Sequence, residues 1–300
     1  MEVISINRAE RVRKELRLII RELGLLNYNC LNSGLTLAQA HVLSYLKMNG
    51  STSFQELALQ LGVDKASISR ILSNLEEKRF IKIEKSLMDK RLKYISIDVL
   101  GMEAITKGDE LSNQRMEQIL NLGEEDTIVQ IAYSLRAFRI LALKDNLMKQ
   151  NNRIQFERVS ENYLEQALAL ATEVFFGEQN IPKPLIPVND EYHPLWWCAR
   201  VGEDIIGVVA AWKEDEQWHW GRFAVDHRLR GVGIGKKLAV CSLTELFSMD
   251  VNKILIEARD ITVCLLKQLG CKVMGEPEEF YGEPVTPITI SKSDFISACP

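Results

Sequence analysis

The segment Arg230 to Gly235, which reads RGVGIG, constrains the fold of this chain more than any other segment. It follows the apolar run Gly221 to Val225 and precedes KKLAVCSLTELF, a stretch of helical character. Glycine has no Cβ, so the backbone turns tightly here, and the N–H groups at the helix start face outward. The spacing therefore predicts a strand, a turn and a helix N-terminus that binds an anion. It is not the dinucleotide fingerprint, which needs G-x-G-x-x-G. An ordinary glycine-rich turn is the simpler alternative.

Length, cysteines and histidines narrow the class of protein. At roughly 150 residues per domain, the chain of 300 residues predicts two domains. No apolar run approaches the roughly 18 residues that span a bilayer, and the charged N-terminus does not resemble a signal peptide. Six cysteines and four histidines lie scattered without metal-ligand spacing. We therefore expect a cytoplasmic protein with reduced thiols, no metal site and no membrane partner.

A basic segment lies within a chain whose net charge is −4. Residues 65–93 contain nine basic and four acidic residues, whereas residues 151–300 contain 15 basic and 22 acidic ones. Steering and phosphate contact act locally, so the basic segment predicts nucleic-acid binding in the first half. The acidic second half is not expected to bind DNA.

Three helices with a short turn are predicted within this first half. Capping boxes at Thr36 to Gln39 and Ser53 to Glu56 begin two helices, and Asp64 begins a third. The turn Gly62 to Asp64 is typical of a helix-turn-helix, and the alternating segment 81–97 predicts a two-stranded wing. Solvated helix faces are the alternative interpretation. Polar side chains near the start of the third helix are candidates for the major groove: Lys65, Ser67, Ser69, Arg70 and Asn74.

The segments LAQAHVL, ELALQLGVDKASISRILSNLEEKRFIK and MDKRLKYISI resemble the MarR family of winged-helix regulators over residues 1–148. The resemblance implies a mainly α winged helix-turn-helix domain that dimerises through its outer helices. It implies double-stranded DNA with a near-palindromic operator as the partner. It also implies that Lys90 and Arg91 belong to the DNA-contacting wing, within the Asp89-Lys90-Arg91 element.

After a polar linker predicted at 149–153, residues 154–300 resemble the GNAT acetyltransferases. RGVGIG carries the resemblance together with VFFGEQNIP, GRFAVDHRLRG, EAR and GEPEEFYGEP. It implies an α+β fold with a mixed β-sheet, acetyl-CoA as cofactor and a backbone N–H near Val225 that polarises the thioester carbonyl. The implied cofactor-binding residues are Phe223, Val225, Arg230, Gly231, Val232, Gly233, Ile234, Gly235 and Lys236.

The acid–base residues are where the chain departs from this resemblance. Where many relatives carry a tyrosine acid and a histidine, this chain has Leu266 and Val285. Glu178 in the predicted substrate loop, His219 on a strand and Tyr281 are substitute catalytic candidates. Each could instead be a surface or packing residue. Five tryptophans in the predicted meander either line a substrate pocket or pack in the core: Trp196, Trp197, Trp212, Trp218 and Trp220.

Three functions stay open on these observations. The first is a DNA-binding regulator fused to an acyltransferase that acetylates a small amine or related metabolite. The second is a regulator whose GNAT domain senses acetyl-CoA or another ligand with little or no turnover. The third is a protein acetyltransferase that the winged helix recruits.

Overall fold

The computed structural model describes residues 7–26, 29, 33–85, 92–149 and 151–299. The chain folds as two compact units, Met1–Leu135 and Arg136–Pro300. The first is mainly helical with a small antiparallel sheet, and the second is an α+β unit with a mixed sheet. This order of units confirms the predicted fold class.

The first unit is a winged helix-turn-helix. Its small sheet has the strand order β1-β3-β2, and β2 and β3 form the predicted wing. Strand β1 was not predicted, because two residues are too few to show alternation. The elements are α1 Arg8–Glu22, α2 Leu37–Asn49, β1 Thr52–Ser53, α3 Phe54–Leu61, α4 Lys65–Glu77, β2 Ile81–Lys85, β3 Lys93–Ile97 and α5 Val99–Leu120, followed by α6 Glu125–Lys149, which continues into the second unit.

Local capping explains the helix boundaries in this unit. Thr36 and Gln39 form the reciprocal capping box expected at the start of α2. Gly62 adopts the left-handed conformation with φ of 65° and ends α3. The Asp64 carboxylate accepts the N–H groups of Ala66 and Ser67 and begins α4. The short turn between α3 and α4 is therefore built by the residues that predicted it.

One glycine lets α5 approach the wing. A Cβ built on Gly101 would lie 2.0 Å from the carbonyl oxygen of Phe80, a distance that no real Cβ contact allows. Phe80 in turn packs against the core of α2, α3 and α4. The glycine after the wing therefore fixes where α5 starts over the first unit.

The second unit is built on an eight-stranded sheet among the described residues, in the order β10-β11-β8-β7-β6-β5-β4, with β9 paired to β11. All pairs are antiparallel except β7 with β8. The elements are β4 Gln155–Arg158, α7 Glu161–Gln179, β5 Leu195–Val201, β6 Asp204–Glu214, β7 Gln217–Val225, α8 Ile234–Ser248, β8 Lys253–Ala258, α9 Asp260–Lys267, β9 Lys272–Val273, β10 Glu278–Phe280, β11 Glu283–Ser291 and α10 Lys292–Ala298.

The sheet opens between its two parallel strands. β7 and β8 pair only at Trp218 with Ile254 and at His219 with Leu255 within the described residues. β7 continues to Val225 and β8 to Ala258 without further pairing. The two strands therefore separate on the side of the sheet where β7 leads into the glycine loop.

The boundary between the units differs from the expected linker at 149–153. It falls between Leu135 and Arg136, inside α6, and residues 151–153 form a short 3-10 helix. Ile140 and Leu147 on the second half of α6 are buried in the hydrophobic core of the second unit. The polar residues that follow Leu147 suggested a linker. The residues that bury Leu147 lie far away in the chain, so the local sequence does not show that this part of α6 is buried.

Two other local expectations are corrected. Glu178 lies in the last turn of α7 rather than in the substrate loop, since the helix continues to Gln179. The end of the chain has three strands and a final helix, whereas the sequence pattern of residues 272–291 predicts two strands. The short strands β9 and β10 are defined by their pairing with β11, which local sequence does not report.

Candidate functional site

The glycine loop has the conformation that an anion-binding turn needs. β7 ends at Val225, a 3-10 turn spans His227–Leu229, and α8 begins at Ile234. Gly231 and Gly233 have φ values of 90° and 81°, in the left-handed region that favours glycine. A Cβ on either residue would meet nothing within 4 Å, so backbone conformation and not crowding requires glycine. The open space above the loop leaves the N–H groups of the first turn of α8 accessible.

Gly235 has a different role in the same loop. A Cβ at this position would lie 3.1 Å from Cζ of Phe223 on β7. Phe223 also packs against Trp220, with ring centroids 5.1 Å apart. The glycine therefore allows the start of α8 to rest against the strand, which holds Phe223 and the loop side by side.

Arg230 and Glu178, which the sequence assigned to separate tasks, form an ion pair. Nη1 of Arg230 lies 2.7 Å from Oε2 of Glu178, and Nη2 donates to Oε1 at 2.9 Å. Nε of Arg230 donates to the carbonyl oxygen of Val225 at 3.2 Å. Both side chains are partly exposed, so the pair lies at the solvent edge of the loop.

A β-bulge lies on β7 before the loop. The register with β6 shifts so that Arg222 and Phe223 oppose the single residue Val209. Arg222 has a φ of 53°, uncommon for a residue with a side chain. Its guanidinium donates to the carbonyl oxygens of Ile186, at 2.6 Å, and Leu185, at 3.1 Å. Burial lowers the pKa of Arg222. The bulge thus interrupts the ladder two residues before Val225, near the backbone N–H that the GNAT resemblance implies, while Val225 itself pairs in register with Gly207.

In the first unit, the start of α4 presents three of the five predicted DNA-contacting residues. Lys65, Ser69 and Arg70 are exposed and have no hydrogen-bond or ion-pair partner among the described residues. Ser67 donates its hydroxyl to Asp64 at 2.7 Å, and Asn74 accepts from Gln39 at 2.5 Å. These two therefore serve the helix cap and the α2–α4 contact.

The predicted wing residues Lys90 and Arg91 lie outside the described residues, which stop at 85 and resume at 92. The strands on either side are paired, from Ile81 with Ile97 to Lys85 with Lys93. The DNA contacts assigned to Lys90 and Arg91 remain a prediction, because these two residues have no structural description.

Two sequence families match the two units. The profile of the MarR family matches residues 33–92, and that of the acetyltransferase (GNAT) family matches residues 163–264. The chain therefore joins a MarR-like domain to a GNAT acetyltransferase domain. No protein with a curated description matches the chain.

Solved structures resemble each half separately. Escherichia coli ElaA is 21% identical, covers 45% of this chain and 97% of its own length, and has a TM-score of 0.41. An acyl-CoA N-acyltransferase from Pseudomonas aeruginosa is 17% identical, over 46% and 98%, with a TM-score of 0.40. Bordetella bronchiseptica BpsR, whose DNA binding is regulated by 6-hydroxynicotinic acid, is 21% identical over 43% and 99%, with a TM-score of 0.38. At this similarity no function transfers to this chain.

The three catalytic candidates are not brought together in the GNAT domain. His219 stacks on Trp212, with centroids 5.6 Å apart and an interplanar angle of 13°. Tyr281 occupies the turn between β10 and β11 with a φ of 51° and makes an edge contact to Phe280. Among the described residues no hydrogen bond joins either of them to Glu178. Of the three, Glu178 is the one in contact with the glycine loop.

Leu266 and Val285, the two positions where relatives carry proton donors, have apolar surroundings or partial burial in the structure. Leu266 is fully buried in the core of the GNAT domain, and Val285 is half-buried on β11. Burial raises the pKa of the Cys271 thiol to about 12, so this neighbour of Leu266 remains protonated at neutral pH.

The tryptophans mainly build the core. Trp197 and Trp220 are buried, and their indole N–H groups donate to Glu245 at 2.6 Å and to Ser242 at 3.0 Å. Trp196 is buried too, whereas Trp212 and Trp218 are half-buried. The five tryptophans therefore do not line one pocket together, and core packing is the better interpretation for the buried ones.

A charged cluster before the glycine loop was not anticipated. Arg228 donates to Asp226 at 2.9 Å and 2.7 Å and to Glu173 on α7 at 3.1 Å, and Arg136 of α6 donates to Glu173 at 2.8 Å. Burial opposes ionisation of Asp226, but hydrogen bonds from Arg228 outweigh it, so the pKa of Asp226 is lowered. The D-x-R spacing was the available signal. The cluster anchors the turn that leads into the loop.

The described part of the chain holds no group of three or more histidine, cysteine or acidic residues arranged for a metal ion. None of its helices is long and apolar enough to cross a membrane.

Proposed function

We propose that the GNAT domain binds acetyl-CoA at the glycine loop and transfers its acetyl group to a small amine or related metabolite. The observation that supports this most is the loop itself. Two left-handed glycines and a helix N-terminus form an accessible cradle of N–H donors beside a splayed sheet. Diphosphate groups suit such a cradle because the helix dipole favours negative charge there.

Residues around the cradle supply the remaining steps. Acetyl-CoA, when bound, supplies a thioester whose carbonyl carbon accepts the amine. The bulge at Arg222 and Phe223 breaks the strand pairing where a backbone N–H can polarise that carbonyl. Glu178 lies at the loop and can take the proton that the amine loses, directly or through water. The leaving thiolate must gain a proton, and the chain offers Tyr281 or solvent for this.

The second candidate is a sensor that binds acetyl-CoA without efficient turnover. The buried Leu266 and the apolar Val285 favour it, because neither side chain can donate a proton. Under this proposal the ligand changes DNA affinity, and DNA must change ligand affinity by the same factor.

We further propose that the MarR-like unit binds a near-palindromic operator in the cytoplasm as a homodimer. Lys65, Ser69 and Arg70 on α4 would enter the major groove, and Lys90 and Arg91 would contact the operator from the wing, with Arg91 toward the minor groove. Apolar side chains on the outer helices support dimerisation. Helix α1 has no buried residue, yet Val12 and Ile19 are apolar and exposed. On α6, Val129 and Tyr133 are exposed as well.

The deciding experiment measures thiol release from acetyl-CoA against a panel of amines. Release well above the rate without amine supports the acetyltransferase, whereas acetyl-CoA binding without release supports the sensor. Calorimetry on Gly233→Glu tests the site itself, because the substitution strains the loop and adds a negative charge. We expect no measurable acetyl-CoA binding by this variant, and unchanged affinity would refute the loop assignment.

Operator binding tests the other unit. We expect Arg70→Ala to lower DNA affinity and to reduce the slope of log K against log salt by about one if Arg70 contacts a phosphate. Acetyl-CoA affinity of this variant stays at the wild-type value. Equal operator affinity in Arg70→Ala and wild type would remove α4 from the interface.

A further inference from the structure

A cavity beside the glycine loop is walled by a helix that precedes the GNAT domain in sequence. Its volume is about 520 Å³. The loop contributes Arg230, Gly231 and Val232, and the second half of α6 contributes Lys144, Leu147 and Met148. All six residues belong to the second unit.

The α6 wall is held in place by burial. Leu147 is 1% exposed and belongs to the same hydrophobic core as Val232, which packs against that core from the loop. Lys144 lies three residues before Leu147, so both project from the same side of the helix. Lys144 is half-buried and lines the cavity.

Among the described basic residues that line this cavity, Lys144 is the one without a hydrogen-bond or ion-pair partner. Arg230 is paired with Glu178 through both terminal nitrogens. Lys236, the other predicted phosphate ligand, donates to Gln268 at 3.2 Å. Lys144 has no hydrogen-bond or ion-pair partner among the described residues. The C-terminal end of a helix disfavours anions, so a cation near that end of α6 is needed for the wall to accept phosphate.

We propose that Lys144 is a phosphate-binding residue for the CoA nucleotide and that α6 completes the cofactor site. This inference rests on the proposed function of the glycine loop. It adds a residue that lies outside the matched GNAT region and before the linker expected from sequence. The ligand chemistry is a phosphate monoester or diphosphate attached to a nucleoside, as in CoA.

Calorimetric titration of the full chain with CoA tests the inference. Lys144→Gln removes the charge and keeps most of the chain length, and we expect about tenfold weaker binding, the usual effect of one charge-assisted hydrogen bond. Lys144→Arg keeps the charge and stays within about threefold of wild type. Lys149→Gln is the matched control, because Lys149 is an exposed lysine on the same helix paired with Asp145. It binds CoA as wild type does.

Titration with 3′-dephospho-CoA identifies the phosphate. If the loss in Lys144→Gln disappears with this ligand, Lys144 binds the 3′-phosphate, and if it persists, Lys144 binds the diphosphate. Wild-type CoA affinity in Lys144→Gln overturns this inference alone. Failure of the wild-type protein to bind CoA overturns the proposed function and the inference with it.

Discussion

At the scale of single residues, the ion pair of Arg230 with Glu178 would link cofactor binding to proton transfer under the proposed function. A diphosphate in the loop would compete with the Glu178 carboxylate for the same guanidinium. Cofactor binding would then release Glu178 from its partner, so the carboxylate becomes able to accept a proton from an amine. The two residues were predicted from separate motifs, 52 positions apart.

Glu178→Gln tests this competition because it removes the negative charge but retains the shape of the side chain. We expect acetyl-CoA to bind up to about fivefold more tightly, since partly exposed ion pairs contribute about 0.2–1 kcal/mol. Turnover, if present, falls at the same time. Calorimetry and thiol release measure the two effects, with the exposed residue Glu276 changed to glutamine as control. Weaker binding in Glu178→Gln would contradict the competition.

At the scale of elements, two neighbouring segments hold the glycine loop in place, namely the turn that precedes it and the second half of α6. The turn before the loop is anchored by Asp226, which is 4% exposed and bonded to Arg228. The second half of α6 packs beside the loop through Leu147. Both anchors belong to the GNAT unit, but α6 also belongs in part to the first unit.

Asp226→Asn should destabilise the GNAT unit by about 1–3 kcal/mol at neutral pH, the cost of weakening buried charged hydrogen bonds. The folded state lowers the pKa of Asp226 below its ordinary value of 3.8. Its contribution is therefore full above that value and is lost as the pH falls through the lower, folded pKa. Urea unfolding of the variant and wild type should show a constant difference from pH 7 to pH 5 that shrinks below about pH 3.8. The exposed Asp190, changed to asparagine, serves as control.

Leu147→Ala tests whether α6 belongs to the GNAT unit. Because Leu147 is buried in that core, we expect a loss of about 2–5 kcal/mol in the free energy of unfolding of this unit. Leu141→Ala is the matched control on the same helix, since Leu141 is 61% exposed, and it should change stability by less than about 0.5 kcal/mol. Equal stability of the two variants would contradict the assignment of α6.

At the scale of the whole molecule, the two units carry complementary tasks. The first has exposed Lys65 and Arg70 at the start of α4 and exposed apolar residues on α1 and α6, and the second has the left-handed glycine loop. The proposed operator binding calls for two copies of the chain, because a dimer would place two recognition helices about one DNA turn apart.

Ile19→Glu tests the dimer. The substitution places a charge among the exposed apolar residues of α1, so we expect sedimentation to show a monomer and operator affinity to fall by at least tenfold. Acetyl-CoA affinity remains at the wild-type value, which shows that the second unit keeps its fold. Glu15→Gln on the same helix leaves the dimer intact. A dimeric Ile19→Glu protein with wild-type operator affinity would exclude α1 from the interface.

Most of the secondary structure could be predicted from neighbouring residues, because caps, glycines and apolar periodicity act over one or two helical turns. Thr36, Asp64 and Gly62 set helix boundaries in this way, and the left-handed Gly231 and Gly233 mark the loop. Those signals were enough for two fold classes and for the site of the cradle. They did not depend on where the rest of the chain lies.

The contacts that join one motif to another could not be predicted from local sequence, because they form between distant residues. Three such contacts join segments separated by many residues. They are the ion pair of Arg230 with Glu178, the hydrogen bond from Gln39 to Asn74 and the burial of Leu147. Local sequence carries no record of which distant side chain will cover a leucine or neutralise a charge. The place of α6 in the GNAT unit, and Lys144 at the loop, follow from packing across the chain, where apolar burial outweighs the polar pattern of the segment.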